Sequence, residues 1–149
     1  MSTTLINERR VLIDNQGVAK LSASIVESED GADKKLYAEG KIGCCDTPTA
    51  NGRIYPATLM KRELDRLQDR INESSLYAAV DHPGDGKSRI RDTGAIIRAL
   101  RVEQDGTIFG KFQVIEDTDH GRNLAAILRA GGAVGVSSRG LGSTRPHHE

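Results

Sequence analysis

Tryptophan is absent from the 149 residues, and aromatic residues make up only 3% of them. A core built from this chain must therefore rest on Leu, Ile, Val and Ala. Charge of one sign is not in excess either. Lys plus Arg and Asp plus Glu both number 21, so the formal net charge is zero. That balance gives no general electrostatic basis for binding nucleic acid or an anionic membrane. No apolar run approaches the ~18 residues a membrane helix needs. The start, Met1 to Arg10, carries Arg9 and Arg10 but no apolar stretch leading to a small-residue cleavage site, so it does not read as a signal peptide. The two cysteines, Cys44 and Cys45, are adjacent. Neighbours bridge only under strain, and two thiols alone do not make a zinc site, so both are read as reduced thiols in a soluble, reducing compartment. No metal and no cofactor are expected.

What is present is the length and patterning of one domain. Residues 11–14 and 18–27 read as strands around an Asn15-Gln16-Gly17 turn, with Leu21, Ala23 and Ile25 alternating with polar neighbours. A charged loop at 28–35 precedes a strand at 36–43. The turn-rich stretch from Asp46 to Pro56 leads into a helix over 57–73, whose Met60, Leu64, Leu67 and Ile71 share one face. Pro56 stands where a missing N–H costs nothing. A short strand at 76–81 and a loop at 82–93 follow. Strands at 94–103 and 107–115 flank Asp105-Gly106, a strong hairpin signal. A second helix over 119–130 shows Leu124, Ile127 and Leu128 as its apolar face and stops at Gly131-Gly132. His120 and the acidic Glu116, Asp117 and Asp119 fit a helix N-terminus, with an aspartate as cap. A last strand at 133–138 runs into Arg139-Gly140-Leu141-Gly142. The sum is α+β, a mostly antiparallel sheet or barrel with flanking helices.

Three segments could carry chemistry. Gly135-Val136-Ser137-Ser138-Arg139-Gly140 gives a serine room on both sides for an incoming carbonyl. It is not the nucleophile elbow of α/β-hydrolases, which is one residue shorter and continues into a helix that Gly140, Gly142 and Pro146 oppose. Read alone, it is equally a glycine-rich strand end. Asp81-His82-Pro83 puts a histidine just past an apolar strand, where a general base is often held; a lone histidine is also often an ordinary polar residue. The nearby Gly86-Lys87-Ser88 imitates a P-loop, but Asp81 stands where its first glycine belongs, and no nucleotide site is read here. In Asn51-Gly52-Arg53-Ile54-Tyr55-Pro56, a tight turn orients the first helix, and Arg53 and Tyr55 could line a substrate groove.

The order N-G-R-x-Y-P, helix, D-H-P, hairpin, helix, G-V-S-S-R-G-L-G resembles that of tailed-phage prohead core proteases of the T4 type, over roughly residues 36–142. The resemblance implies a herpesvirus-protease-like fold and a serine endopeptidase. Such an enzyme works inside the prohead, within the host cytoplasm, on scaffold or core proteins, on the major capsid protein and on itself. By the same resemblance His82 becomes the base and Ser137 the nucleophile, with Ser138 the alternative. Backbone N–H groups near Arg139 and Gly140 would receive the oxyanion. Cleavage after glutamate is implied, and Ile25-Val26-Glu27 fits as a self-cleavage site. A third group should orient His82. Asp81, Asp92 and Glu149 are poor candidates, and His147 and His148 are too close in sequence to Ser137 to form a separate strand. The expectation is one protease domain over 1–149, truncated at its C-terminal end, with the third group beyond Glu149. Assemblins act as dimers, so a homo-oligomer is compatible with the resemblance. The competing reading is a non-catalytic relative, tail-tube-like or scaffold-binding, in which His82 and Ser137 would have no reason to meet.

Overall fold

The computed structural model describes residues 10–14, 22–27, 34–49, 52–79, 93–132, 134 and 138–142. The elements in chain order are β1 (Arg10–Asp14), β2 (Ser22–Glu27), β3 (Lys34–Cys44), α1 (Ala57–Asn72), β4 (Tyr77–Ala79), β5 (Thr93–Val102), β6 (Thr107–Val114), α2 (Asp119–Arg129) and β7 (Ser138–Gly142). Five strands form an antiparallel sheet in the order β2-β3-β6-β5-β4, and β1 pairs with β7 in a separate two-stranded ladder. The fold is α+β, as the sequence implied.

Strand β6 organises the core. Ile108, Gly110, Phe112 and Val114 are buried along one face, and the residues between them are half-buried. Ile108 packs with Cys45 and Leu64, joined by Met60, Leu67, Leu100 and Val102. Phe112 and Val114 pack with Leu36, Ala38, Ala95, Ala125 and Leu128. Side chains two apart on a regular strand share a face. Both helices therefore cover the same face of the sheet, α1 at the Ile108 end and α2 at the Val114 end.

Two bulges make this possible. Arg98 is the extra residue where Ile97 pairs with Phe112 and Ala99 with Lys111. The inward parity of β5 consequently switches from Ala95 and Ile97 to Leu100 and Val102. Ile42 plays the same part in β3, between Lys41 and Gly43, and touches both clusters. The opposite face carries two cation–aromatic contacts, Arg101 over Phe109 at 3.8 Å and Lys111 over Tyr37 at 4.6 Å.

The β5–β6 hairpin turns at Asp105-Gly106. Gly106 takes φ +89, and an Asp105 carboxylate oxygen accepts from the Thr107 amide at 2.9 Å, which holds that carboxyl below its ordinary pKa. The apolar face of α1 is the one expected, with Leu64 and Ile71 buried.

In α2 the burial differs from the sequence pattern. Gly121, Ala125 and Leu128 are buried and Leu124 partly so, while Ile127 is 48% exposed. Small residues let the helix approach the sheet closely, and a hydropathy pattern underweights them. The cap of α2 is Thr118 rather than an aspartate. The two N-terminal strands are not partners: β1 pairs with β7 and β2 with β3, while residues 15–17 lie outside the described residues.

Candidate active site

The Gly52-Arg53-Ile54-Tyr55-Pro56 segment is held against the residues that follow β3, and Asn51 lies outside the described residues. The Asp46 amide donates to the Tyr55 carbonyl, and the Thr49 amide to the Arg53 carbonyl, both at 2.8 Å. Gly52 takes φ +77 at the tip, a conformation an L side chain resists. Buried Thr49 supplies a hydroxyl that accepts from the Arg53 amide at 3.2 Å. The Cys45 amide donates to the Gly106 carbonyl at 2.8 Å, which ties the loop to the hairpin turn. Asp46, itself at φ +59, accepts from the Ala57 amide at 3.3 Å and so satisfies one orphan donor of α1 that Pro56 cannot cap. Arg53 and Tyr55 are thus half-buried on a loop whose backbone is fixed, and Ile54 between them is 36% exposed. Burial pushes the Cys45 thiol up from its ordinary pKa, with Asp46 and Cys44 adding to the effect against a smaller opposing pull from Lys61. It is a packed thiol, not an activated one.

His82 lies in the segment between β4 and β5, outside the described residues, as do Asp81 and Asp92. The frame around that segment is described. Helix α1 ends in a Schellman motif, with the Ser74 amide donating to the Ile71 carbonyl and the Ser75 amide to the Arg70 carbonyl. The left-handed position is Ser74 at φ +59, where glycine would be usual. Its hydroxyl accepts from Arg98 Nη1 at 2.6 Å, and Arg98 Nε donates to Gln113 Oε1 at 2.9 Å. One arginine at the β5 bulge therefore joins the chain entering β4 to the sheet. Nothing in the sequence marks Ser74, Arg98 or Gln113; their partnership exists only once the bulge has turned Arg98 sideways.

The serine motif follows α2. Thr118 Oγ1 accepts from the Gly121 amide at 2.9 Å and donates to the Ile115 carbonyl at 2.8 Å. At the other end the Gly131 amide donates to the Leu128 carbonyl and the Gly132 amide to the Ile127 carbonyl, a second Schellman motif, with Gly131 at φ +79. Val134 packs against the α2 cluster outside any strand. Ser137 lies outside the described residues. Ser138 opens β7 opposite Asp14, with Arg139 opposite Ile13 and Gly140 opposite Leu12.

The strand expected at 133–138 therefore begins where it was expected to end. The register pairs Gly140 with Leu12 and Gly142 with Arg10, so two glycines stand inside this strand. In an antiparallel ladder successive residues alternate in which side their N–H faces. Only one of the Arg139 and Gly140 amides can stay free of β1, which limits what this pair offers an oxyanion. The nine residues after Gly140 carry no described structure beyond Gly142.

Comparison with known proteins is consistent across sequence and structure. The chain matches the family described as prohead core protein serine protease over residues 4–149. It is 29% identical over 153 residues to the prohead core protein protease of enterobacteria phage T4, covering 97% of this chain and 72% of that protein. Its fold superposes on the capsid assembly protease of bacteriophage T4 with a TM-score of 0.78 at 26% identity, covering 95% of this chain and 87% of the other. With the match running from the first strand through the serine motif, the chain belongs to the prohead core protein serine protease family, a family of phage capsid maturation proteases.

Proposed function

We propose that this protein is the serine endopeptidase of a phage prohead, with Ser137 as nucleophile and His82 as general base. The observation that carries the reading is the family match across residues 4–149, which spans both the Asp81-His82-Pro83 and the Gly135-to-Gly140 motifs. Membership of a peptidase family favours catalysis over the tube-like or scaffold-binding alternative.

His82 takes the Ser137 proton as the hydroxyl attacks a peptide carbonyl. The tetrahedral oxyanion collapses to an acyl-enzyme as His82 protonates the leaving amine, and water completes the cycle. The oxyanion is received by backbone N–H groups at the start of β7, from whichever of Arg139 and Gly140 is not paired to β1, and the Arg139 charge lies on the same segment. Arg53 and Tyr55 border the substrate groove on their fixed loop. Ser138 is the alternative nucleophile.

Substrates are the prohead core or scaffold proteins and the major capsid protein, cut inside the prohead in the host cell after glutamate. Self-cleavage falls after Glu27. Glu27 is the last residue of β2, an edge strand, so the bond to Ser28 lies just past the ladder. In that ladder Val26 and Glu27 pair with Lys35 and Lys34 of β3.

A fluorophosphonate probe tests the assignment. Peptide mapping should place the label on Ser137, and His82→Ala should abolish labelling. A label on no serine between 135 and 140 contradicts it.

A further inference from the structure

Strand β4 has three residues and β5 has ten, so β4 covers only the first part of its neighbour. Among the described residues, the last backbone hydrogen bond across that edge is the Ile97 amide donating to the Leu76 carbonyl at 2.9 Å. Beyond the bulge, the Glu103 amide donates to the Thr107 carbonyl of β6 at 2.7 Å. Backbone direction alternates along a strand. Ala99 and Arg101 therefore face β6 as well, and Leu100 and Val102 present their N–H and C=O to the other side.

Among the described residues, no strand pairs with that side. What meets it is a side chain: Gln68 Nε2 of α1 donates to the Leu100 carbonyl at 3.2 Å, and also to the Leu64 carbonyl at 3.0 Å. Between α1 and this edge runs a groove of about 360 Å³, lined by Lys61, Leu64, Gln68, Leu100, Arg101 and Val102 among others.

We propose that this groove takes an extended segment of a protein substrate, which adds to β5 as a strand beyond the end of β4. The inference rests on the protease reading for the nature of its occupant. Alternating N–H and C=O groups at strand spacing are matched by another extended main chain, and unpaired edges are where such strands add. The Gln68 amide already makes the bond to Leu100 that an incoming N–H would make, and it swings aside when the strand arrives. On the α1 side the added strand meets Leu64, Leu100 and Val102, so alternate residues facing the helix are aliphatic. The site grips main chain, leaving sequence choice to the groove near Arg53 and Tyr55.

The test uses the full isotope-labelled chain and a capped peptide, Lys-Thr-Val-Thr-Val-Thr-Val-Lys, together with two versions N-methylated at either the valines or the threonines. Amide exchange at Leu100 and Val102 should slow at least tenfold on binding the unmodified peptide. One methylated version should lose at least tenfold in affinity and the other stay within threefold, because only one edge of the peptide pairs. Gln68→Ala should bind the peptide more tightly. Equal affinity of the two methylated peptides, unchanged exchange at those amides, no binding, or weaker binding by Gln68→Ala would each overturn the proposal. Exchange reads strand pairing and not turnover, so loss of catalysis in Ser137 or His82 variants is a separate result from loss of this site.

Discussion

Arg98 Nη1 lies 2.6 Å from Ser74 Oγ, so the turn after α1 and the bulge of β5 are held by one hydrogen bond. The segment that carries His82 begins six residues after Ser74 and ends just before β5. Arg98→Ala removes this bond and the one to Gln113, and should cost about 2 kcal/mol by urea unfolding, at the level of charged hydrogen bonds in a half-buried place. Ser74→Gly loses only the first and relieves a left-handed serine, worth about 1 kcal/mol. It should stay within about 1 kcal/mol of wild type. If Arg98→Ala unfolds at the wild-type urea midpoint, the clamp is not structural.

Gly121 in the first turn of α2 admits no side chain. A Cβ built there stands 1.7 Å from the Ile115 carbonyl oxygen. Gly121→Ala should therefore destabilise by about 3 kcal/mol, at the upper end for overpacking, because backbone must move. Thr118→Ala should cost about 1 kcal/mol as a lost cap. Thermal unfolding that ranks Thr118→Ala as the more damaging change would contradict this packing.

The adjacent thiols should differ in reactivity. Cys45 is 3% exposed with its pKa raised by burial, whereas Cys44 is half-buried beside Thr47. The thiolate is the reacting form, so a raised pKa and burial both slow Cys45 at neutral pH. Iodoacetamide followed by peptide mapping should mark Cys44 first. Labelling of Cys45 should rise as the pH is taken above the ordinary thiol range. Equal rates at neutral pH would mean that Cys45 is not packed under the α1 N-terminus.

Self-cleavage after Glu27 should yield a product beginning at Ser28, detectable by intact-mass measurement. Glu27→Gln should remove it. If Glu27 is cut, strengthening the β2–β3 ladder should slow the cut, because Glu27 is the last residue of β2 and pairs with Lys34. A Glu27→Gln chain that still yields a product beginning at Ser28 would rule out glutamate as the determinant.

Much of the fold was legible in the sequence. The spacing of Met60, Leu64, Leu67 and Ile71 locates α1 and its buried face, and Asp105-Gly106 places the hairpin within a residue or so. Local signals carried those elements. Pairing was less legible, because it is a long-range choice: Asn15-Gln16-Gly17 suggested that the first two strands were partners, but β1 pairs with β7 and β2 with β3. Alternation also breaks at Arg98 and Ile42, where bulges change which parity faces inward. At the candidate site, motif order named His82 and Ser137 as a pair. The contacts that hold the neighbouring described loops, Asp46 on Ala57 and Arg98 on Ser74, are made by ordinary polar residues that carry no motif.

The nucleophile is identified by the paired variants Ser137→Ala and Ser138→Ala, each incubated as the full chain with prohead core protein and followed by appearance of products ending in glutamate. Ser137→Ala should lose cleavage by at least about a thousandfold and Ser138→Ala should retain it, on the scale set by removing a catalytic nucleophile. Undiminished cleavage by Ser137→Ala, whatever Ser138→Ala does, would contradict the assignment of Ser137.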